Sequence, residues 1–151
     1  MATVTIFTGL CGSGKTYESK ELERRYKSHG ENVERFEEIL GRKEIDFPRI
    51  VQELKSGTDC IVEEAFYCVR VFRVEFIDVL NEQVPEANVK WECFENNLEV
   101  ANANVEFWTN EIISTEQGKE INRLREINQR LSENFECPEG CTPKPIHRRT
   151  T

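Results

Sequence analysis

Eight consecutive residues near the N-terminus have the types and the spacing needed to bind phosphate. Residues 9–16 read Gly-Leu-Cys-Gly-Ser-Gly-Lys-Thr and match the pattern G-x-x-x-x-G-K-[ST]. Glycines let such a loop turn tightly, so that successive backbone N–H groups converge on an anion. The Lys15 ammonium would reach the β- and γ-phosphates, and the Thr16 hydroxyl is a ligand for Mg²⁺. The predicted nucleotide-binding residues are Gly9, Leu10, Cys11, Gly12, Ser13, Gly14, Lys15 and Thr16.

The residues on either side of this loop favour the same interpretation. Residues 3–8 alternate β-branched and aromatic side chains and predict a buried strand. Residues 16–28 predict a helix, whose positive N-terminal end would face the phosphates. This order of strand, loop and helix is the setting that a P-loop requires, whereas a chance glycine-rich turn, the alternative, does not need it.

Another predicted strand, the third along the chain, carries the acid that such a loop needs. Residues 59–64 form a short apolar run that ends in Glu63 and Glu64. This pattern is typical of a Walker B strand, whose acid binds Mg²⁺ directly or through water. Thr16, Glu63 and Glu64 are therefore the predicted metal residues. The pleat of the strand decides which glutamate faces the metal; Glu63 is favoured, with Glu64 as a supporting or catalytic carboxylate. The alternative is a strand that simply meets solvent at Glu63.

Predicted strands and helices alternate along the whole chain, which favours an α/β fold with a parallel sheet. Pro145 lacks an N–H group, so the last predicted strand is expected at a sheet edge. The predicted strands are 3–8, 32–37, 59–64, 89–94 and about 144–148, and the predicted helices are 16–28, about 47–55, about 68–82, one starting near Leu98, and about 115–135.

Composition and charge limit the classes of function. The 151 residues fit one domain, and the net charge of −8 disfavours extended binding to nucleic acid. No apolar run approaches the length of a membrane span, and the N-terminus lacks the pattern of a signal peptide. We therefore expect a cytoplasmic protein.

Six cysteines do not form a dense disulfide framework. Cys11 lies in the predicted phosphate-binding loop, where positive charge would lower its pKa and favour oxidation. Cys137 and Cys141 are spaced as C-x₃-C, with only His147 near them in sequence. A plain turn is favoured there over a metal site, because zinc needs about four ligands.

Four asparagines, Asn96, Asn97, Asn102 and Asn104, lie close together in sequence. Their amides carry both donors and acceptors and are suited to the edge of a base or ribose. The favoured alternative is that they are helix-cap and surface residues.

Taken together, the elements resemble the small P-loop kinases, within these the branch of polynucleotide kinase, zeta toxins and relatives of seryl-tRNA kinase. The likeness covers nearly the whole chain in element order, although the P-loop is the only specific motif. It implies a three-layer P-loop NTPase fold with helices on both faces of a five-stranded parallel sheet in the order 2-3-1-4-5. It also implies one domain over residues 1–151, with a lid-like helical segment at about 109–135.

The resemblance also implies roles for individual residues. Glu37 or Glu38, after the second strand, would accept the proton of the acceptor's hydroxyl group. Arginines on a helix after the third strand would hold the acceptor, and arginines of the lid would stabilise charge on the transferred group. Each of them, like the Glu37–Glu38 pair, is otherwise an ordinary solvated surface residue. The predicted catalytic residues are Lys15, Glu37, Glu38, Arg123 and Arg130, and the predicted acceptor-binding residues are Arg70 and Arg73.

The predicted function is thus an Mg²⁺-dependent phosphotransferase that moves the γ-phosphoryl group of ATP to a hydroxyl or phosphate of a small-molecule or nucleotide acceptor. ATP is favoured over GTP because the sequence has no guanine-specific N-K-x-D motif. The alternative from another class is a regulatory ATPase, in which bound nucleotide sets a partner-binding conformation without phosphotransfer.

Overall fold

Four parallel strands form the sheet in the part of the chain that the structure describes, residues 1–109 and 115–149 of a computed structural model. Their order is β2-β3-β1-β4. The strands are β1 (Thr3–Thr8), β2 (Val33–Glu37), β3 (Asp59–Glu63) and β4 (Asn88–Cys93). The helices are α1 (Lys15–Ser28), α2 (Lys43–Lys55), α3 (Arg70–Gln83), α4 (Leu98–Thr109) and α5 (Thr115–Glu133), with short 3₁₀ helices at Ile39–Arg42 and Ala65–Cys68.

Helices cover both faces of the sheet, as the sequence predicted. Side chains alternate along each strand, so Val62 of β3 packs on α2 and α3, whereas its neighbour Ile61 packs on the opposite side. That opposite side is covered by α1, α4 and α5, which contribute Leu22, Ala101 and Leu131 to the second core cluster. None of the described helices combines the length and the apolar composition of a membrane span.

The prediction of a fifth strand at 144–148 is wrong for the sheet that the structure describes. One parallel bridge joins Lys144 to the residue that follows β4, and no ladder continues from it. Pro145 has no N–H group to extend the pairing. The next N–H group, of Ile146, donates instead to the side chain of Glu95 (3.1 Å). The segment therefore follows the sheet edge as an extended chain that side chains hold in place.

The second predicted helix also begins earlier than expected, at Lys43 instead of Phe47, and Pro48 lies inside it. The one apolar residue of the first turn, Ile45, is 55% exposed and lies outside the buried apolar face of the helix. The residue of this turn that is buried is Asp46, a polar side chain that an apolar pattern does not reveal. Periodicity therefore detected only the buried half of α2.

Gly12, at the centre of the glycine-rich loop (Gly9–Thr16), is enclosed by α4. Its φ angle is +89°, and an added Cβ would lie 2.3 Å from the carbonyl oxygen of Ala101. That distance is far inside van der Waals contact with a backbone atom that cannot move independently. The loop and α4 can therefore approach this closely only if residue 12 is glycine.

Gly12→Ala should destabilise the protein more than Gly57→Ala, a control that isolates the effect of packing. Gly57 has nearly the same φ angle, +88°, but an added Cβ there would meet nothing within 4 Å. The control should cost about 1–2 kcal/mol of unfolding free energy from backbone strain alone, and Gly12→Ala a further 1–3 kcal/mol from overpacking. Urea unfolding measures the free energy of unfolding of both variants. Equal losses of stability would show that α4 can move away from residue 12 without a free-energy cost.

Candidate functional site

The structure brings most of the predicted site residues around one cavity of about 1120 Å³ at the carboxyl ends of the strands. The glycine-rich loop and the ends of β2 and β3 form its floor, and α5 contributes one wall. The predicted residues that line it are Cys11, Gly12, Lys15, Thr16, Glu37, Glu38, Glu63, Glu64 and Arg123.

The glycine-rich loop directs the N-terminal end of α1 into this cavity. Gly14 adopts a left-handed conformation as the N-cap, and the first helical turn closes with the N–H of Glu18 bonded to the Gly14 carbonyl (3.0 Å). The N–H groups that precede this bond have no partner within the helix. The Lys15 ammonium donates to the carbonyl of Leu10 (2.7 Å) and to the hydroxyl of Ser13 (3.3 Å). The Lys15 ammonium and the N–H groups at the start of α1 thus lie side by side.

Glu63 joins the loop to the neighbouring strand. Its Oε1 atom accepts a hydrogen bond from the Thr16 hydroxyl (2.6 Å), and its Oε2 atom accepts from Ser19 Oγ (2.8 Å) and Arg35 Nη1 (2.6 Å). The side chain is 8% exposed. Glu63 shares a strand face with Ile61, which packs on the α1 side of the sheet. The pleat therefore points Glu63 towards the loop, as the sequence favoured.

Glu64, the next residue, has a different set of partners. Its carboxylate accepts from the backbone N–H groups of Leu40 (2.8 Å) and Phe66 (3.1 Å), so it caps one 3₁₀ helix and anchors the other. Burial raises the pKa of the Glu64 carboxyl above its ordinary value, and the two backbone N–H groups only partly offset this effect. Glu64 therefore fixes the segment after β2 beside the loop.

The two carboxylates at the end of β2 also differ from each other. Glu37 is half exposed and forms an ion pair with Arg35. Glu38 is the one non-glycine residue with a positive φ angle (51°) among those the structure describes. Its carboxylate lies close enough to Glu64 and Cys11 to raise the pKa of both. The left-handed turn thus separates Glu38 from the ion pair and brings it to the cavity.

Only Arg123 of the four predicted arginines lines this cavity. It is held by Glu120 on the same helix, with contacts of 2.7 and 3.0 Å. Arg130, two turns further along α5, is not among the lining residues. Part of the predicted lid, residues 110–114, lies outside the described residues.

Arg70 and Arg73 line a separate cavity of about 720 Å³ beside β4. Arg73 is buried, and its Nη1 atom donates to the carbonyls of Tyr67 (3.1 Å) and Glu136 (2.7 Å). The structure therefore does not bring this pair to the glycine-rich loop. Helical spacing alone showed that the two arginines share a side of α3, but not which cavity that side faces.

Two buried asparagines hold the backbone of the glycine-rich loop. The sequence did not predict this role for either of them. Asn128 of α5 is fully buried, and its amide accepts from the N–H of Cys11 (2.7 Å) and donates to its carbonyl (2.8 Å). Asn104 of α4 donates to the carbonyl of Gly12 (2.9 Å). Asn128 lies within the apolar stripe of its helix, three residues before Leu131, and a polar residue in such a stripe is the signal that reveals it.

The remaining asparagines of the dense group have structural contacts in the described residues. Asn97 caps α4 by accepting from the N–H of Val100 (3.2 Å), and Asn96 donates to the carbonyl of Ser132 (3.0 Å). Asn102 accepts from the amide of Asn128 (3.0 Å). The favoured interpretation as caps is confirmed for Asn97, whereas the Asn102 and Asn104 amides support the loop instead.

The six cysteines are free. Burial raises the pKa of Cys11, and Lys15 opposes this only in part, so the expected lowering of that pKa is wrong. The Cys141 thiol donates to the carbonyl of Trp91 (3.5 Å), and the Cys137 thiol to that of Cys141 (3.6 Å). In the described ranges, no group of three or more His, Cys, Asp or Glu side chains is arranged to hold a metal ion.

A scan against protein-family models and a search of curated proteins found no match to this chain. The functional interpretation therefore depends on the geometry of the site.

Asn128→Asp should destabilise the fold, because the new carboxylate cannot donate to the Cys11 carbonyl and faces it with a lone pair instead. We expect a loss of about 2–3 kcal/mol in the free energy of unfolding. Asn134→Asp is the matched control. Asn134 is exposed and donates weakly to the Arg130 carbonyl (3.3 Å), so its replacement should stay within about 0.5 kcal/mol. Chemical denaturation measures both, and similar losses would contradict a special role for Asn128.

Proposed function

We propose that this protein is a P-loop phosphotransferase that uses ATP and Mg²⁺ to phosphorylate a hydroxyl or phosphate of a small-molecule or nucleotide acceptor. The observation that carries the proposal is the hydrogen bond of 2.6 Å between Thr16, at the end of the glycine-rich loop, and Glu63, at the end of the adjacent parallel strand. This contact unites the two halves of the P-loop and Walker B pattern. The four described strands, in the order 2-3-1-4, are compatible with a P-loop NTPase fold.

The donor set beside the loop fits Mg²⁺. The Thr16 hydroxyl and the Glu63 carboxylate are hard oxygen ligands, which this ion prefers. Because Thr16 uses its proton in the bond to Glu63, its lone pairs are left for a cation. Mg²⁺ usually keeps several waters and substrate phosphates as ligands, so few protein ligands are needed. Bound there, the ion would neutralise charge on the phosphates.

The loop itself is suited to a triphosphate. The N–H groups at the start of α1 and the dipole of that helix favour an anion at its N-terminal end. The Lys15 side chain, which reaches the Leu10 carbonyl, can exchange this neutral partner for a phosphate oxygen. Asn104 and Asn128 hold the backbone of the loop, so its shape does not depend on the ligand.

The rest of the cavity is suited to an acceptor. Its volume of about 1120 Å³ exceeds the ~300–1000 Å³ of a pocket for one small ligand. Glu38 would accept the proton of the acceptor hydroxyl, because it lines the cavity and forms no ion pair among the described residues. Arg123 would stabilise the charge that develops on the transferred phosphoryl group.

Incubation with γ-labelled ATP and Mg²⁺ tests the proposal. Acceptor mixtures of nucleosides, nucleoside monophosphates and sugar nucleotides would be resolved for labelled product. We expect label in at least one of these classes. Hydrolysis without any labelled acceptor would favour the regulatory ATPase, and no binding of ATP would exclude both.

Lys15→Ala should weaken ATP binding by about 10- to 100-fold, because a charged hydrogen bond to phosphate is lost. The fold should survive, since Lys15 bonds only to its own loop. Lys20→Ala, on the exposed part of α1, is the control and should bind ATP normally. Calorimetric titration gives both affinities. Equal affinities for the two variants would contradict a phosphate-binding role for Lys15.

Glu38→Gln should lower the rate of phosphotransfer by about 10²–10⁴-fold with little change in ATP affinity, because it removes the proton acceptor and keeps the shape. Glu37→Gln provides the comparison, since Glu37 is engaged with Arg35 at the surface. Single-turnover kinetics with the identified acceptor separates the chemical step from binding. If Glu37→Gln were the slower variant, Glu37 would be the base.

A further inference from the structure

Arg35 lines the cavity beside the glycine-rich loop. Nothing in the sequence predicted it as a site residue. It lies on β2 between Val33, which packs against α1, and Glu37. Because side chains alternate along a strand, Arg35 points to the same side of the sheet as Glu63 of the adjacent strand β3. In the parallel register Arg35 pairs with Ile61 and Glu37 with Glu63, so the guanidinium lies diagonally beside the Glu63 carboxylate.

The guanidinium group contacts three carboxylates at once. Its Nη1 atom donates to Glu63 Oε2 (2.6 Å), its Nη2 atom contacts Glu37, and its Nε atom lies 3.7 Å from Glu23 Oε1 on α1. The Arg35 side chain is 14% exposed and that of Glu63 is 8% exposed. The planar fork of arginine can serve several carboxylates in this way, whereas the single ammonium of lysine is a point charge.

Without this contact, Glu63 would be a buried charge with no counter-ion in the described residues. Its other partners, Thr16 and Ser19, are neutral hydroxyls. Lys15 donates to the loop instead of to Glu63. An unpaired buried carboxylate is costly and tends to be neutralised by a proton or a cation.

We propose that Arg35 is the built-in counter-ion of Glu63 and holds this carboxylate aligned on Thr16 before a divalent cation binds. Arg35 is thus a positioning residue of the metal site, and the inference rests on the metal site of the proposed function. Its removal should leave a carboxylate that Mg²⁺ alone, without nucleotide, can neutralise.

Thermal unfolding in MgCl₂, compared with NaCl of the same ionic strength and without nucleotide, tests this inference. Wild-type protein should unfold at the same temperature in both salts. Arg35→Met should unfold roughly 6 °C or more lower, as expected when a buried pair loses one partner. Millimolar MgCl₂ should then raise its Tm by at least about 2 °C, because the cation binds only the folded state.

Two further variants separate the counter-ion role from general packing. Arg35→Met combined with Glu63→Gln removes both charges, so it should be more stable than Arg35→Met alone and should not respond to MgCl₂. Arg25→Met makes the same chemical change at an exposed arginine of α1, away from the buried carboxylates, and it should not respond either.

Three results would overturn the inference: an equal response to MgCl₂ in all variants, unchanged stability of Arg35→Met, or a double variant no more stable than the single one. If Arg35→Met does not fold, folding of the double variant supports the inference and its failure to fold overturns it. These comparisons do not involve ATP. If wild-type protein bound no ATP, that result would contradict the proposed function, whereas the result of the MgCl₂ comparison would still stand for Arg35.

Discussion

The buried carboxylate of Glu63 is the interaction on which the rest of the site depends. It accepts hydrogen bonds from the start of α1, through Thr16 and Ser19, and from β2, through Arg35. Two elements, α1 and β2, are thereby fixed to one point at the end of β3. Because a buried carboxylate must keep its partners, these elements are constrained to move together. The glycine-rich loop ends at Thr16, so its position is set by the same charge.

A second constraint acts on the loop from the opposite side. Asn104 and Asn128, both buried, bond the backbone of Gly12 and Cys11 to α4 and α5. Side-chain amides that carry a donor and an acceptor can replace a missing strand partner for one peptide unit. The described part of α5 is therefore coupled to the loop, and Arg123 on this helix keeps its place beside the cavity. A helix held to the loop in this way differs from a lid that is attached only by its ends.

The parts that sequence predicted well depend on local chemistry. The glycine-rich loop, the strand before it and the alternation of strands with helices follow from glycine conformation and apolar periodicity, and the parallel α/β sheet is confirmed. The features that the sequence did not predict depend on tertiary contacts. The sequence does not show that the segment at Pro145 forms no strand ladder. Nor does it show that Arg73 donates to two backbone carbonyls. Periodicity marks Asn128 as a polar residue within an apolar stripe but does not reveal the loop backbone that it binds, and it gives no signal for Arg35.

The turn after β2 explains how two adjacent glutamates acquire different surroundings. Continued in the strand, they would alternate between the two faces of the sheet, with Glu37 beside Arg35 and Glu38 directed to the α2 side. Instead, the N–H of Glu38 still bonds to the Glu63 carbonyl (2.8 Å), while its left-handed conformation ends the strand.

The left-handed conformation of Glu38 costs about 1–2 kcal/mol for a residue with a side chain. Backbone strain of this size persists where the surrounding structure enforces it, and it concentrates at functional sites. The enforcing contacts here are the Glu63 carbonyl and the Glu64 carboxylate, which binds the N–H of Leu40 two residues further on. Glu63 and Glu64 thus hold the turn that presents Glu38 to the cavity.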